Sequence, residues 1–176
     1  MQIEATTIPG VMHVRPDAHS DERGLFARTY DADNFAAAGL PTTWPQCNIS
    51  WNQYRATLRG MHFQRRPHGE PKLVRCTRGR VFDVAVDLRP ESPCFRDWIA
   101  VELAYERRNA LFIPAGCAHG FITLEDDCEL LYMMGHVFVP ELSAGVRWND
   151  PAFGIKWPFE PITMSERDAI WPDFVE

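Results

Sequence analysis

Lysine is nearly absent from this chain: of its eighteen Lys and Arg residues only Lys72 and Lys156 are lysine. Where arginine is otherwise the rule, a retained ammonium invites a functional reason, because a compact point charge does what a planar fork cannot. Long apolar runs are missing too. None approaches the roughly 18 residues of a membrane-spanning helix, and the opening MQIEATTIPG has neither the basic start nor the apolar core of a secretory leader. The expectation is a cytoplasmic protein with no membrane partner. Cysteine is sparse and unpatterned: Cys47, Cys76, Cys94, Cys117 and Cys128 are odd in number and contain no C-x-x-C pair. Neither a disulfide framework nor a structural zinc site is indicated, so reduced, mostly buried thiols are expected. A surplus of positive charge is also lacking. The net charge of -6 excludes a general nucleic-acid binder.

What is present suits one domain spanning 1–176, with 45% hydrophobic residues to build a core and Gly and Pro spread along the chain rather than gathered into a linker. Short β-rich runs bounded by turn residues recur at Val11–Arg15, Gly24–Tyr30, Gln46–Trp51, Ala56–Gln64, Lys72–Thr77, Arg80–Leu88, Trp98–Leu103, Ala110–Ile113, Gly120–Leu124 and Glu129–His136. This spacing predicts an all-β fold, a jelly-roll barrel or sandwich with a few short helices. Helical signal is confined to Asp31–Ala38, with an Asp cap, and to a short piece after Ser165. Within Arg80–Leu88, Phe82, Val84, Val86 and Leu88 alternate with Val81, Asp83, Ala85 and Asp87. The acidic face of that strand is expected to line a wet cavity.

Between Arg55 and Arg80 stand eight basic residues and one acid, Glu70, a +7 segment and the best anion-site candidate in the chain. Inside it, strict alternation would put Arg59 and His62 on opposite faces, and a bulge at Gly60 would bring them together. His62 and His119 sit among apolar residues and glycines, where a strand can aim an imidazole inward. His13, His19, His68 and His136 show no partner pattern and are expected at the surface or in turns. No H-x-H with a carboxylate is present, so no metal is expected.

Several runs, in order and across essentially the whole chain, resemble the dTDP-4-dehydrorhamnose 3,5-epimerase family. They include Asp21-Glu-Arg-Gly-Leu-Phe26, Gln46-Cys-Asn-Ile-Ser50, Leu58-Arg-Gly-Met-His-Phe-Gln64, Lys72-Leu-Val-Arg75, Ile113-Pro-Ala-Gly-Cys-Ala-His-Gly-Phe121 and Ser165-Glu-Arg-Asp168. The resemblance implies a cupin-type jelly roll that inverts C3, C5 or both of a nucleotide-diphospho-4-keto-6-deoxy sugar through an enolate, with no cofactor and no metal. It also implies a homodimer that exchanges N-terminal strands, so that the partner's Arg23 and Phe26 region completes the site.

Such chemistry needs a base on one face of the ring, an acid on the other and a charge at the enolate oxygen. The resemblance implies His62 as base, Asp168 as the carboxylate that orients it, Tyr132 as acid and Lys72 at the enolate. It implies substrate contacts from Arg23, Phe26, Gln46, Asn48, Arg59, His119, Phe138 and Arg167, with Arg59 and Arg23 on the diphosphate. Asp83 is a candidate partner for His119. Departures from the family pattern fall on the nucleotide side: Arg28 replaces a glutamate, Phe138 a tyrosine and Ser143 a glutamate. The alternative function is a cupin that binds a nucleotide sugar or another anion without turnover, or an isomerase with changed nucleotide specificity.

Overall fold

Residues 1–175 are described in the computed structural model, and the expected all-β architecture is there. Two antiparallel sheets face each other. The larger runs in the order β1 (Gln2–Ala5), β2 (Met12–Arg15), β10 (Ala110–Ile113), β7 (Lys72–Arg78), β12 (Cys128–Met134), β5 (Gln46–Asn52). The smaller has the order β13 (Ser143–Gly145), β6 (Leu58–Gln64), β11 (Cys117–Thr123), β8 (Arg80–Asp87), β9 (Trp98–Ala104). A hairpin of β3 (Ala18–Asp21) and β4 (Gly24–Ala27) pairs with neither sheet and leaves Phe26 74% exposed.

Both expected helices form. Asp31 caps α1 (Ala32–Ala37) by accepting from the Asn34 N–H, and Ser165 caps α2 (Glu166–Ala169) by accepting from the Asp168 N–H. Strands β1, β3 and β13 were not expected. The first two are almost wholly exposed and lack apolar alternation, and the third is only three residues long. β11 starts at Cys117 rather than Gly120, because the small residues after Pro114 read as a loop in sequence while pairing along β8 in space.

Side chains of period 2 divide the core. Val74 and Cys76 of β7, Val81 and Ala85 of β8, Phe121 of β11 and Leu130 of β12 fill one end of the space between the sheets. The opposite face of the smaller sheet, with Met61, Val84, Val86 and Ala118, is covered by Val146, Phe153 and Ile155 from the chain beyond β13. Both faces of β8 are therefore buried, and its acidic face is dry, contrary to expectation. Asp83 and Asp87 are fully buried and each is paired, the first with His119 at 2.7 Å and the second with Arg89 at 2.7 Å. Charge on that face is tolerated because a partner meets it.

The thiols are free, with Cys76, Cys117 and Cys128 buried, and burial pushes Cys76 and Cys117 up to about 12. Those two carry no thiolate chemistry near neutral pH.

Candidate active site

The space between the sheets opens at one end into a cavity of about 630 Å³. Its walls come from both sheets: Asn48 and Ser50 of β5, Lys72 of β7 and Tyr132 of β12 on one side, Arg59 and His62 of β6 and His119 of β11 on the other. Arg167 and Asp168 close it from α2, and Phe138 stands at its edge, 54% exposed.

Local backbone irregularity makes β6 supply two inward groups where alternation allows one. Gly60 has φ +127°, a region L side chains avoid, and the β11–β6 register shifts between His119 and Phe121. Met61 turns into the opposite core, while Arg59 and His62 both reach the cavity. The anticipated bulge at Gly60 is thus what joins them. A Cβ at Gly60 would lie 2.5 Å from the Gly120 Cα and 2.9 Å from the His119 carbonyl oxygen, so two glycines let the strands approach.

His62 Nε2 lies 2.6 Å from Asp168 Oδ1. Its ring is 42% exposed to the cavity, whereas the Asp168 side chain is 5% exposed. Burial alone pushes the Asp168 carboxyl up, but hydrogen bonds from His62, the Gly60 N–H and Ser165 outweigh it and hold the group below its ordinary value. The carboxylate stays charged and fixes the imidazole. Across the cavity, burial first and the Asp83 carboxyl second raise the Tyr132 phenol, which keeps its proton near neutral pH. The ring of Tyr132 meets His119 edge-on at 5.9 Å between centroids. Lys72 is nearly buried and donates to Glu70 Oε2 at 2.6 Å, and the other Glu70 oxygen has no partner.

Of the residues named from sequence, His62, Tyr132, Asp168, Lys72, Asn48, Arg59, His119, Phe138 and Arg167 line this cavity. Gln46 is not among its lining; its amide oxygen accepts from the Phe138 N–H at 2.7 Å and holds that segment. Arg23 and Phe26 lie on the separate hairpin and border a second, smaller depression, with Arg23 bonded to Asp21. The Asp83–His119 pair is present at 2.7 Å. Arg28 bonds Asp31 beside the helix cap and is not among the lining residues, and Ser143 accepts from Arg167 at 3.0 Å.

The +7 segment does not act as one patch. Arg66 is paired with Glu91, Arg78 with Asp127, Arg80 with Glu125, and Arg75 is buried and bonded to the Thr29 carbonyl. Only Arg59 and Lys72 of these cations reach the cavity wall, since alternation and loops scatter the rest. Sequence reasoning passed over three supports. Glu70 was counted only as the odd acid of a basic run, Asn52 accepts from Arg59 Nε at 2.7 Å, and Gln64 accepts from the Val139 N–H at 2.8 Å.

A sequence model of the dTDP-4-dehydrorhamnose 3,5-epimerase family matches residues 5–176. The chain belongs to that family. It is 42% identical over 174 residues to the dTDP-4-dehydrorhamnose 3,5-epimerase of Salmonella typhimurium, covering 98% of this chain and 94% of that protein. Among solved structures, the dTDP-4-dehydrorhamnose 3,5-epimerase of Elizabethkingia anophelis superposes with a TM-score of 0.95 at 34% identity, over 99% of this chain and 96% of the other. A 3′-monoepimerase from Streptomyces bikiniensis in complex with dTDP-quinovose gives a TM-score of 0.90 at 34% identity, over 97% and 86%. Membership bears out the fold and the epimerase class expected from the sequence motifs.

Proposed function

We propose that the cavity takes a nucleotide-diphospho-4-keto-6-deoxy sugar of the dTDP-4-dehydro-6-deoxyglucose type and inverts it at C3, C5 or both. The observation that carries this is the His62–Asp168 pair on β6 and α2 facing a phenol, Tyr132, held protonated on the opposing sheet. A ketone acidifies the C–H bonds beside it. His62, with Asp168 to take up the charge of the imidazolium, removes the proton from one face. Tyr132 returns one from the other, and the Lys72 ammonium stabilises the enolate oxygen between them.

Arg59 and Arg167 suit the diphosphate, Phe138 suits a stacked base, and Asn48 and His119 suit the sugar. A homodimer completes the site: the unpaired β3–β4 hairpin offers Arg23 at 82% side-chain exposure and Phe26 at 74%, a cation and an aromatic ring available to a neighbouring cavity. The reaction supplies deoxysugar biosynthesis in the cytoplasm.

Incubation with dTDP-4-keto-6-deoxyglucose in D2O, followed by NMR, tests the reading. Deuterium at C3 and C5 together with inverted product stereochemistry indicates double epimerisation, and both at C3 alone a mono-epimerase. No exchange at either carbon, with this sugar and with its UDP-, GDP- and CDP-linked analogues, would overturn catalysis and leave a binding protein. A monomeric mass in light scattering would remove the shared site.

A further inference from the structure

Two histidines that carried no pattern in sequence meet in space. His68, in the loop between β6 and β7, and His136, just after β12, lie with Nδ1 of the first 3.2 Å from Nε2 of the second and with ring centroids 5.0 Å apart. A straight N–H···N bond of that length would set the centroids about 5.5 Å apart. Two imidazoles on one tetrahedral cation, each about 2.05 Å from it, have nitrogens about 3.3 Å and centroids about 5 Å apart. The rings are bent toward the second arrangement.

Protonation favours it as well. His136 Nδ1 is 2.9 Å from the Val137 carbonyl oxygen. A carbonyl only accepts, so Nδ1 carries the proton and Nε2 presents a lone pair toward His68. A ring N–H donated to backbone carbonyl is the support commonly found behind a metal-bound histidine. Both residues border solvent, His68 exposed and His136 half-buried, so a cation can reach them.

We propose that His68 and His136 form a binding site for a borderline divalent transition cation of the Zn²⁺, Ni²⁺ or Cu²⁺ class, with water completing its coordination. Among the described residues no group of three His, Cys, Asp or Glu side chains converges, so the two imidazoles are its protein ligands. On binding, His68 moves its ring proton from Nδ1 to Nε2 and frees the lone pair, so no proton is lost from the neutral pair. Arg65 and Arg66 are neighbours in sequence, the latter engaged by Glu91, and their charge sets the affinity below that of a closed site.

The cation would tie the loop of His68 to the segment that carries Phe138. That segment is already held by Gln46 at the Phe138 N–H, by Gln64 at the Val139 N–H and, through the Gln64 amide nitrogen, at the Val137 carbonyl. The site acts on the mouth of the cavity and not on the reacting groups.

Calorimetric titration of the whole protein with ZnCl2 and with NiCl2 tests this, paired with NMR of the histidine ring nitrogens. One equivalent should bind, weakened at least about tenfold in His68→Gln and in His136→Gln, with His68 Nδ1 and His136 Nε2 shifting while the His62 and His119 signals stay. Metal-free His68→Gln should keep wild-type turnover. Undiminished binding in the double variant, shifts confined to His62, or no binding by the wild type would overturn the site, and none of these bears on the epimerase reading.

Discussion

Asp168 Oδ1 stands 2.6 Å from His62 Nε2, although 106 residues separate the two in the chain. The carboxylate is buried and charged, and the imidazole is half open to the cavity, an arrangement that suits the proposed role of His62 as base. Asp168→Asn should lower kcat by about 10²–10⁴-fold while leaving substrate affinity within a few-fold, as read by steady-state kinetics. His62→Ala should abolish deuterium exchange at both carbons.

The same pair has a pH consequence for stability. The folded Asp168 sits below its unfolded value, so its contribution is present above the ordinary carboxylate range and is lost as pH falls through the folded pKa. Thermal melts of wild type and Asp168→Asn should differ at pH 7 and converge toward pH 3. A gap that widens on acidification would contradict the assignment.

Tyr132→Phe keeps the ring and removes the proton donor. Exchange at the carbon acidified by the ketone should persist better than net inversion, measured in one D2O experiment by deuterium content and by product stereochemistry. Equal loss of both would remove Tyr132 from the role of acid.

Lys72→Arg retains charge yet should cost turnover. The ammonium is nearly buried against Glu70, and a planar guanidinium fork does not reproduce its compact point charge. A loss of about 10²–10³-fold in kcat is expected, the scale of one donor at a developing oxyanion. Full activity of the arginine variant would show that charge alone suffices there.

Gly60→Ala puts a Cβ against the backbone of Gly120 and His119 at a positive φ, and neither neighbour can yield as a side chain would. A loss of about 1–3 kcal/mol or more is expected in chemical denaturation, with activity falling further because Arg59 and His62 share that bulge.

Most of the barrel was legible in sequence because its buried strands are short apolar runs bounded by turn residues, as β7, β8 and β12 show. The strands that escaped notice, β1 and β3, bury almost nothing and pair only with the next strand in the chain, so no apolar pattern marks them. The candidate reacting residues were named through motif order, and they line one cavity. Their supports were not: nothing in the sequence says that Glu70 meets Lys72 as a buried partner, that Asn52 receives Arg59, or that His68 faces His136. Each of those contacts is set by a loop or a bulge, where chain direction is decided by tertiary packing.

The wrap of the later chain over the smaller sheet has a consequence for biosynthesis. Every strand of both sheets has been translated by Gly145, yet the helix that carries Asp168 emerges only twenty or so residues afterwards. On the ribosome the strands therefore precede both the cover of the smaller sheet by Val146, Phe153 and Ile155 and the carboxylate that His62 awaits. Truncation ahead of α2 should silence catalysis by removing Asp168, and it also strips Phe174 from the cover of the smaller sheet.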